Sequence, residues 1–445
     1  MVKAELTLFT DTDTDTDTVT VTDTVHQEAD MSRDKKALRA AVAARVEQAR
    51  DDLIRITRDL VRIPSVNPPG DYARMAEAML EYYRAEGLDP MVVEAPREEI
   101  EALGLTVPRP NVVARVRGKG NGPVFCLDAH MDVVGTGDES AWSHPPFGGE
   151  LHDGRIYGRG AEDTKAHLAV QLIVYRALRE AGVDLQGDLL LTSTVDDEIG
   201  QWPGMGYLIE RGFEENGFPR PDYHIAGEPT GIDTVGCLAR GRLWYEYVLK
   251  GRPAHGGNPA EGINAVDRAI DLANAVRRFE VHEDPLMGAT TVNLGILQGG
   301  EAINVVPERC RITFDIRPAR KKEVVKAFMD RTVRELQAKD PGFVVESMRL
   351  LNDRQTGGIG PDHPFVKTVQ AVVAELTGKD VVPTGNMAGY SSLGNAYWTS
   401  TNGVAGIMYG GGDFSRAHTV DEYVTADELV ETAQVFAGLV IELCT

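Results

Sequence analysis

Cysteine is scarce. Four occur in 445 residues, Cys126, Cys237, Cys310 and Cys444, and no two are near neighbours. That spacing excludes a C-x-x-C redox pair, a thiol zinc motif and a disulfide-stapled fold, and fits reduced, mostly buried thiols. Long apolar runs are missing too: none approaches the roughly 18 residues of a membrane span, so no membrane partner is expected. The N-terminal stretch has no basic region followed by an apolar one. No secretory signal is expected, and cytoplasmic residence is the default. Basic residues are outnumbered, 46 Lys and Arg against 68 Asp and Glu, for a net charge of −22. A field of that sign repels phosphate backbones and argues against nucleic acid as a partner.

Part of the acidity is local. Residues 1–30 hold eight carboxylates against the single Lys3, and Asp11–Thr24 alternates Asp with Thr. Such a stretch has little apolar surface to bury, so residues 1–34 are expected to form a disordered acidic tail.

The rest is ordinary globular sequence, too long for one core, since single cores stop growing at about 250–300 residues. Apolar residues from Lys35 to Arg62 recur at helical spacing, and Ile63–Gly70 breaks the helix. Strands and helices then alternate: strands over Val112–Val116, Val124–Leu127, Leu189–Val195 and Tyr223–Ala226, with a helix over Thr164–Ala181. This order predicts an α/β domain with a buried sheet. The pattern changes near Arg240. Strands over Leu243–Leu249, Thr290–Ile296, Arg311–Ile316 and Val344–Leu350, with helices over Asn264–Phe279 and Lys322–Ala338, follow the β-α-β-β-α-β order of a ferredoxin-like unit. The α/β pattern resumes near Pro364. The simplest organisation is a catalytic domain, 35–238 and 353–445, interrupted by a small α+β domain at 239–352.

Ligand-type residues gather at the ends of the predicted strands, where open α/β sheets bind. His130-Met131-Asp132 follows one strand, and Asp132 is placed two residues on, where it can fix the His130 tautomer. Asp163 stands at a helix start after Gly158 and Gly160; alone it reads as an N-cap. Asp196-Asp197-Glu198 ends another strand, and three adjacent carboxylates repel unless cations neutralise them. Glu228 ends a further strand, and His418 follows a run of glycines. Each piece alone is more often structural than functional. Together, His130, Asp163, Glu198, Glu228 and His418 supply the imidazoles and carboxylates that suit zinc, manganese or cobalt.

These motifs, in this order, resemble the co-catalytic metallopeptidase family that includes aminoacylase, succinyl-diaminopimelate desuccinylase, acetylornithine deacetylase and the glutamate-releasing carboxypeptidases. The likeness runs from about Leu53 to Val440. It implies a zinc-peptidase-like catalytic domain with a central mixed sheet and an inserted lid or dimerisation domain. It implies one or two divalent ions per subunit: Asp163 bridging, His130 and Glu228 completing one site, Glu198 and His418 the other. It implies Asp197 as general base, with Asp132 supporting His130. His255, within Lys250–His255, would reach a partner subunit's site and stabilise an oxyanion. Arg317, in Asp315-Ile316-Arg317, would clamp a substrate carboxylate, and Asn304 would touch substrate. A homodimer or higher homo-oligomer is expected. His26, His144, His152, His224, His282 and His363 match no family ligand and are read as structural.

The sequence departs from the family in four places. Asp197 replaces the usual glutamate, and Ala166-His167 replace two glycines. His167 reads as a pocket-lining or helix-capping residue, the second being favoured. Gly135 replaces a common proline, and Asn386–Asn395 replaces a Gly-Gly-Thr-Asp element. The favoured reading is a hydrolase of N-acyl amino acids or small peptides bearing a carboxylate. An alternative is an aminohydrolase releasing ammonia from an aromatic amino acid, as in the family's outlier, 5-nitroanthranilate aminohydrolase. A non-catalytic binding relative is the third reading; filled ligand positions argue against it.

Overall fold

The computed structural model describes residues 21–200, 202–280, 283–385 and 394–445. Most of the Asn386–Asn395 segment, His282 and residues 1–20 of the tail therefore lie outside the described residues. The first helix, Val21–Gln48, begins inside the stretch expected to be disordered. Apolar periodicity does not reveal that start, because the apolar stripe begins only at Leu38. A second helix, Arg50–Val61, follows it directly.

The main sheet has eight strands. At its centre, Leu189–Thr194, Phe125–His130, Tyr223–Gly227 and Ala405–Tyr409 run parallel. Asn111–Val116 and Met91–Val93 add antiparallel strands at one edge, so the sheet is mixed. The strands Phe125–His130 and Leu189–Thr194 are buried along their whole length, as expected for strands covered on both faces. Helix Lys165–Glu180 and the C-terminal helix Ala426–Cys444 pack over the sheet and against each other. A capping box between Thr425 and Glu428 starts the latter. All four cysteines are buried and free.

A second sheet has the order Thr291–Gly299, Arg309–Arg317, Arg242–Lys250, Val344–Arg354, antiparallel throughout. This is the ferredoxin-like arrangement, and helices Ala265–Val276 and Lys322–Lys339 share a separate apolar core with it. The chain segments entering and leaving the unit pair with each other, Ala239 opposite Gly357 and Leu238 opposite Gly358. All four strands overrun their expected ends, and two of the extensions bear on the site. Arg242–Lys250 starts one residue earlier, and Val344–Arg354 ends four residues later. Both extensions point toward the first sheet.

One buried ion pair shapes the site directly. Asp196 sits at φ 64°, with its carboxylate accepting from Arg109 Nε at 2.8 Å, Tyr72 OH at 2.8 Å and Asn67 Nδ2 at 3.0 Å. Burial, with Asp132 nearby, still pushes Asp196 up to about 6. This anchoring turns the chain after Leu189–Thr194. Replacing Arg109 by alanine strands a buried carboxylate, and is expected to cost about 3–5 kcal/mol in chemical denaturation. A loss under 1 kcal/mol would show that Asp196 is held by Tyr72 and Asn67 alone.

Candidate metal centre and active site

The carboxyl ends of the four parallel strands carry the candidate site. His130 is the last residue of its strand, and Glu228 follows Gly227. Asp197 and Glu198 lie beyond the Asp196 turn, and His418 follows the loop after Tyr409. Asp163 comes in from the turn before helix Lys165–Glu180.

All five expected ligand residues come together. Asp163 offers a different oxygen to each imidazole: Oδ1 lies 2.9 Å from His130 Nε2, and Oδ2 lies 3.2 Å from His418 Nε2. His418 Nε2 is also 3.0 Å from Glu198 Oε2, and His130 Nε2 is 3.7 Å from Glu228 Oε1. Donors bound at about 2.0–2.2 Å to one tetrahedral cation stand roughly 3.3 Å apart, so these spacings fit two cations joined through Asp163. Two groups of ligand atoms lie within 4.8 Å of one another: Asp163, Glu198 and His418 in one, His130, Asp197 and Glu228 in the other.

The electrostatics point the same way. Burial pushes Asp197 up to about 6 and Glu198 up to about 7, and raises Glu228 well above the carboxylate range. Burial also works against ionised Asp163, but hydrogen bonds from His130 and His418 overcome it and hold the group low. The same bonds, from Asp163 first and then Glu198, push His418 up to about 10. Crowded buried carboxylates short of positive charge, with imidazoles interleaved, suit divalent cations.

The shell behind these residues is only partly as expected. His130 Nδ1 lies 2.9 Å from the backbone oxygen of Asp132 and 3.4 Å from its carboxylate. The tautomer is therefore fixed chiefly by main chain. The Asp132 carboxylate instead accepts from Asn67 Nδ2 at 2.9 Å and from the backbone N–H of Asp197 and Glu198 at 3.3 and 3.2 Å. It positions the Asp197–Glu198 turn.

Glu422 is a support that local pattern did not reveal. Its Oε1 accepts the backbone N–H of Gly160, Glu162 and Asp163 at 2.8, 3.0 and 3.1 Å, and its other oxygen binds Arg159. The glycine turn is thus hung from one buried carboxylate. His167 is buried rather than capping or lining. Thr164 Oγ1 donates its one proton to Gly227 O at 2.6 Å, so His167 Nδ1, 2.7 Å from that hydroxyl, must donate to it. The ring is wedged against the strand ends: a Cβ on Gly410 would stand 2.3 Å from His167 Nε2. Asn395 is likewise structural, its amide 2.8 Å from Asp128 Oδ2 and 2.7 Å from Thr194 Oγ1 in the core.

A cavity of about 130 Å³ opens over the cluster, lined by Asp163, Asp197, Glu198, Glu228 and His418 together with Arg242 and Phe414. Arg242 comes from the first residue of its strand in the second sheet, and its buried Nε has no hydrogen-bond partner. Arg354 is half-buried, held over Tyr397 and Trp398 at 4.8 and 4.7 Å, with its charge felt at Asp197. Both arginines lie on the strand extensions missed from sequence. Arg317 does not line the cavity; it is engaged by Asp315 of its own strand at 2.7 and 2.9 Å. His255 and Asn304 are exposed on adjoining loops, linked by Gly256 N to Asn304 O at 2.7 Å, and neither lines the cavity.

Fold and site together define a metal-dependent hydrolase of C–N bonds. The chain belongs to peptidase family M20/M25/M40, whose model matches residues 126–442. It is similar to an acetylornithine deacetylase of Myxococcus xanthus, 31% identical over 76% of this chain and 85% of the relative. It is also similar to an N-formyl-4-amino-5-aminomethyl-2-methylpyrimidine deformylase of Bacillus subtilis, 24% identical over 90% of this chain and 96% of the relative. In fold it matches a tripeptidase from Staphylococcus aureus with a TM-score of 0.70 at 22% identity, covering 88% of this chain and 98% of that one. Among the described residues, no helix is long and apolar enough to cross a membrane.

Proposed function

We propose that the chain hydrolyses the amide bond of a small N-acyl amino acid or short peptide, with the free carboxylate of the substrate held by Arg242. The observation that carries this reading is one cavity lined both by Asp163, shared between two imidazoles, and by Arg242, whose Nε has no hydrogen-bond partner. His130, Asp163 and Glu228 would hold one cation, and Asp163, Glu198 and His418 the other. Zinc, manganese and cobalt all suit this donor set. Divalent cations in such a site supply Lewis acidity and make a water acidic near neutral pH.

The chain's own residues supply the rest. Asp197 takes a proton from the attacking water as its oxygen adds to the amide carbon. When the C–N bond breaks, Asp197 returns that proton to the leaving nitrogen. Arg242 fixes the substrate's other end, so the amide meets the water in one orientation. Acyl and peptide substrates also fit the activities named for the deacetylase, deformylase and tripeptidase relatives.

The direct test is an assay of protein loaded separately with manganese, zinc or cobalt. The substrates are N-acetyl amino acids, dipeptides and substituted anthranilates. Acyl-amino-acid or dipeptide turnover is expected. Ammonia release from an anthranilate alone would overturn the reading, as would no metal uptake with no turnover.

Arg242→Ala is expected to raise KM about 10–100-fold, the range of a lost charge-assisted contact, with a smaller change in kcat. An amide substrate without the carboxylate is expected to show no such difference. Equal effects on both substrates would remove Arg242 from carboxylate recognition.

We further propose that residues 239–352 form a lid and dimerisation unit, through which His255 serves the site of a second copy. Its exposed loop lies outside the cavity of its own chain, which favours action across a dimer. If so, inactive His255→Ala and Asp197→Asn subunits regain activity when mixed and allowed to exchange, because each hybrid dimer holds one complete site. No recovery in verified hybrids would exclude the cross-subunit role.

A further inference from the structure

Beyond the cavity, among the described residues, one more group of side chains has metal-ligand character. Two imidazole nitrogens converge on a single carboxylate oxygen: His144 Nδ1 lies 2.8 Å and His152 Nε2 3.2 Å from Glu150 Oε2. All three ligand atoms lie within 4.8 Å of one another. None of these residues lines the active-site cavity.

The group is held in place. Glu150 and His152 share one short strand, which pairs with Arg155–Tyr157. His144 stacks on Tyr157 with ring centroids 4.0 Å apart, and the two imidazoles lie side by side at 4.7 Å. One carboxylate oxygen can accept from both imidazoles, and these bonds hold two nitrogens and an oxygen facing a common point while His152 keeps 54% of its side chain exposed. Two nitrogens and one oxygen, with a fourth direction open to solvent, form a zinc ligand set. Donors on tetrahedral zinc stand roughly 3.3 Å apart, so small side-chain rotations suffice.

We infer that His144, Glu150 and His152 bind a zinc ion outside the active site, and that this ion braces the loop carrying His418 against the turn carrying Asp163. The route is short. The backbone N–H groups of Ser143 and His144 donate to Asp421 Oδ1 at 2.7 and 3.3 Å. Asp421 adjoins Glu422, whose carboxylate gathers the N–H groups of Gly160, Glu162 and Asp163. The strand Arg155–Tyr157 leads into that same glycine turn and pairs on its other side with Tyr423–Thr425. An ion joining His144 to the Glu150–His152 strand closes this ring of contacts and limits the freedom of both loops.

The test counts zinc. Full-length wild type, His152→Ala and Glu150→Gln are equilibrated with zinc chloride at buffered micromolar free metal, and bound zinc per chain is measured. Wild type is expected to hold one zinc more than either variant. That difference does not depend on how many ions the active site takes. A count of one against zero would leave this site standing while removing the two-ion reading above. Equal counts in all three proteins would overturn the inference. Hydrogen exchange across residues 417–422 is read on the same samples. Occupancy of the extra site is expected to slow it in wild type relative to His152→Ala, and equal exchange rates would overturn the bracing role.

Discussion

Asp197→Asn is expected to lower turnover by about 10²–10⁴-fold, the usual contribution of a general acid–base group, while leaving bound metal unchanged. Asparagine keeps the shape of the side chain and removes its ability to take a proton. The position is tightly set. The Asp196 turn fixes the backbone, and the Asp197 N–H is held by Asp132 at 3.3 Å. Gly394, at φ 50°, closes over the side chain: a Cβ there would stand 3.3 Å from Asp197 Oδ1 and 3.0 Å from Glu228 Oε1. Where the family usually carries glutamate, the shorter aspartate sits under this close backbone approach. Burial pushes its carboxyl up to about 6, a basicity suited to accepting a proton from an activated water near neutral pH. The measurements are kcat and metal content of the same preparation. Activity within tenfold of wild type would exclude Asp197 as base. Loss of metal in parallel with activity would make it a ligand instead, consistent with its place beside His130 and Glu228.

Asp163→Ala is expected to abolish turnover and to lower the metal content of both positions together. In the proposed arrangement no other ligand is shared. One oxygen faces His130 and the other faces His418 and the Glu198 group. Removing it leaves each imidazole with one carboxylate partner fewer and the two positions unlinked. Glu228→Gln, by contrast, touches only the His130 side, and weakened binding of a single equivalent is expected. Titration with manganese, followed by elemental analysis after desalting, separates these patterns. Retention of two equivalents by Asp163→Ala would show that the aspartate does not bridge.

Much of this was legible in the sequence because it depends on local chemistry. A strand followed by a ligand-type residue is a short pattern, and several such patterns fix which side chains line the carboxyl edge of a parallel sheet once the sheet exists. His130, Asp163, Asp197, Glu198, Glu228 and His418 are all of this kind. The ferredoxin-like order was also readable, since the change from buried runs to alternating strands marks a sheet with one face uncovered.

What the sequence could not give were contacts made by strand order and chain closure. Glu422 holds the turn before Asp163 from 262 residues away at Gly160, and nothing near Glu422 signals that role. Arg242 reaches the cavity, and Arg354 comes near enough for its charge to act on Asp197, because two strands of the second sheet run past the ends that alternation suggests, beside the Ala239–Gly357 pairing that closes the unit. Arg317 is the clamp that the family resemblance implies; in the structure it is engaged by Asp315, two residues away on its own strand. His144 and His152 read as isolated surface histidines until the hairpin set both beside Glu150. Sequence by itself determined which ligand-type side chains stand at the strand ends and the order of the elements. Tertiary structure alone decided which charges meet, because a charge is satisfied by its nearest neighbour in space, and folding chooses that neighbour.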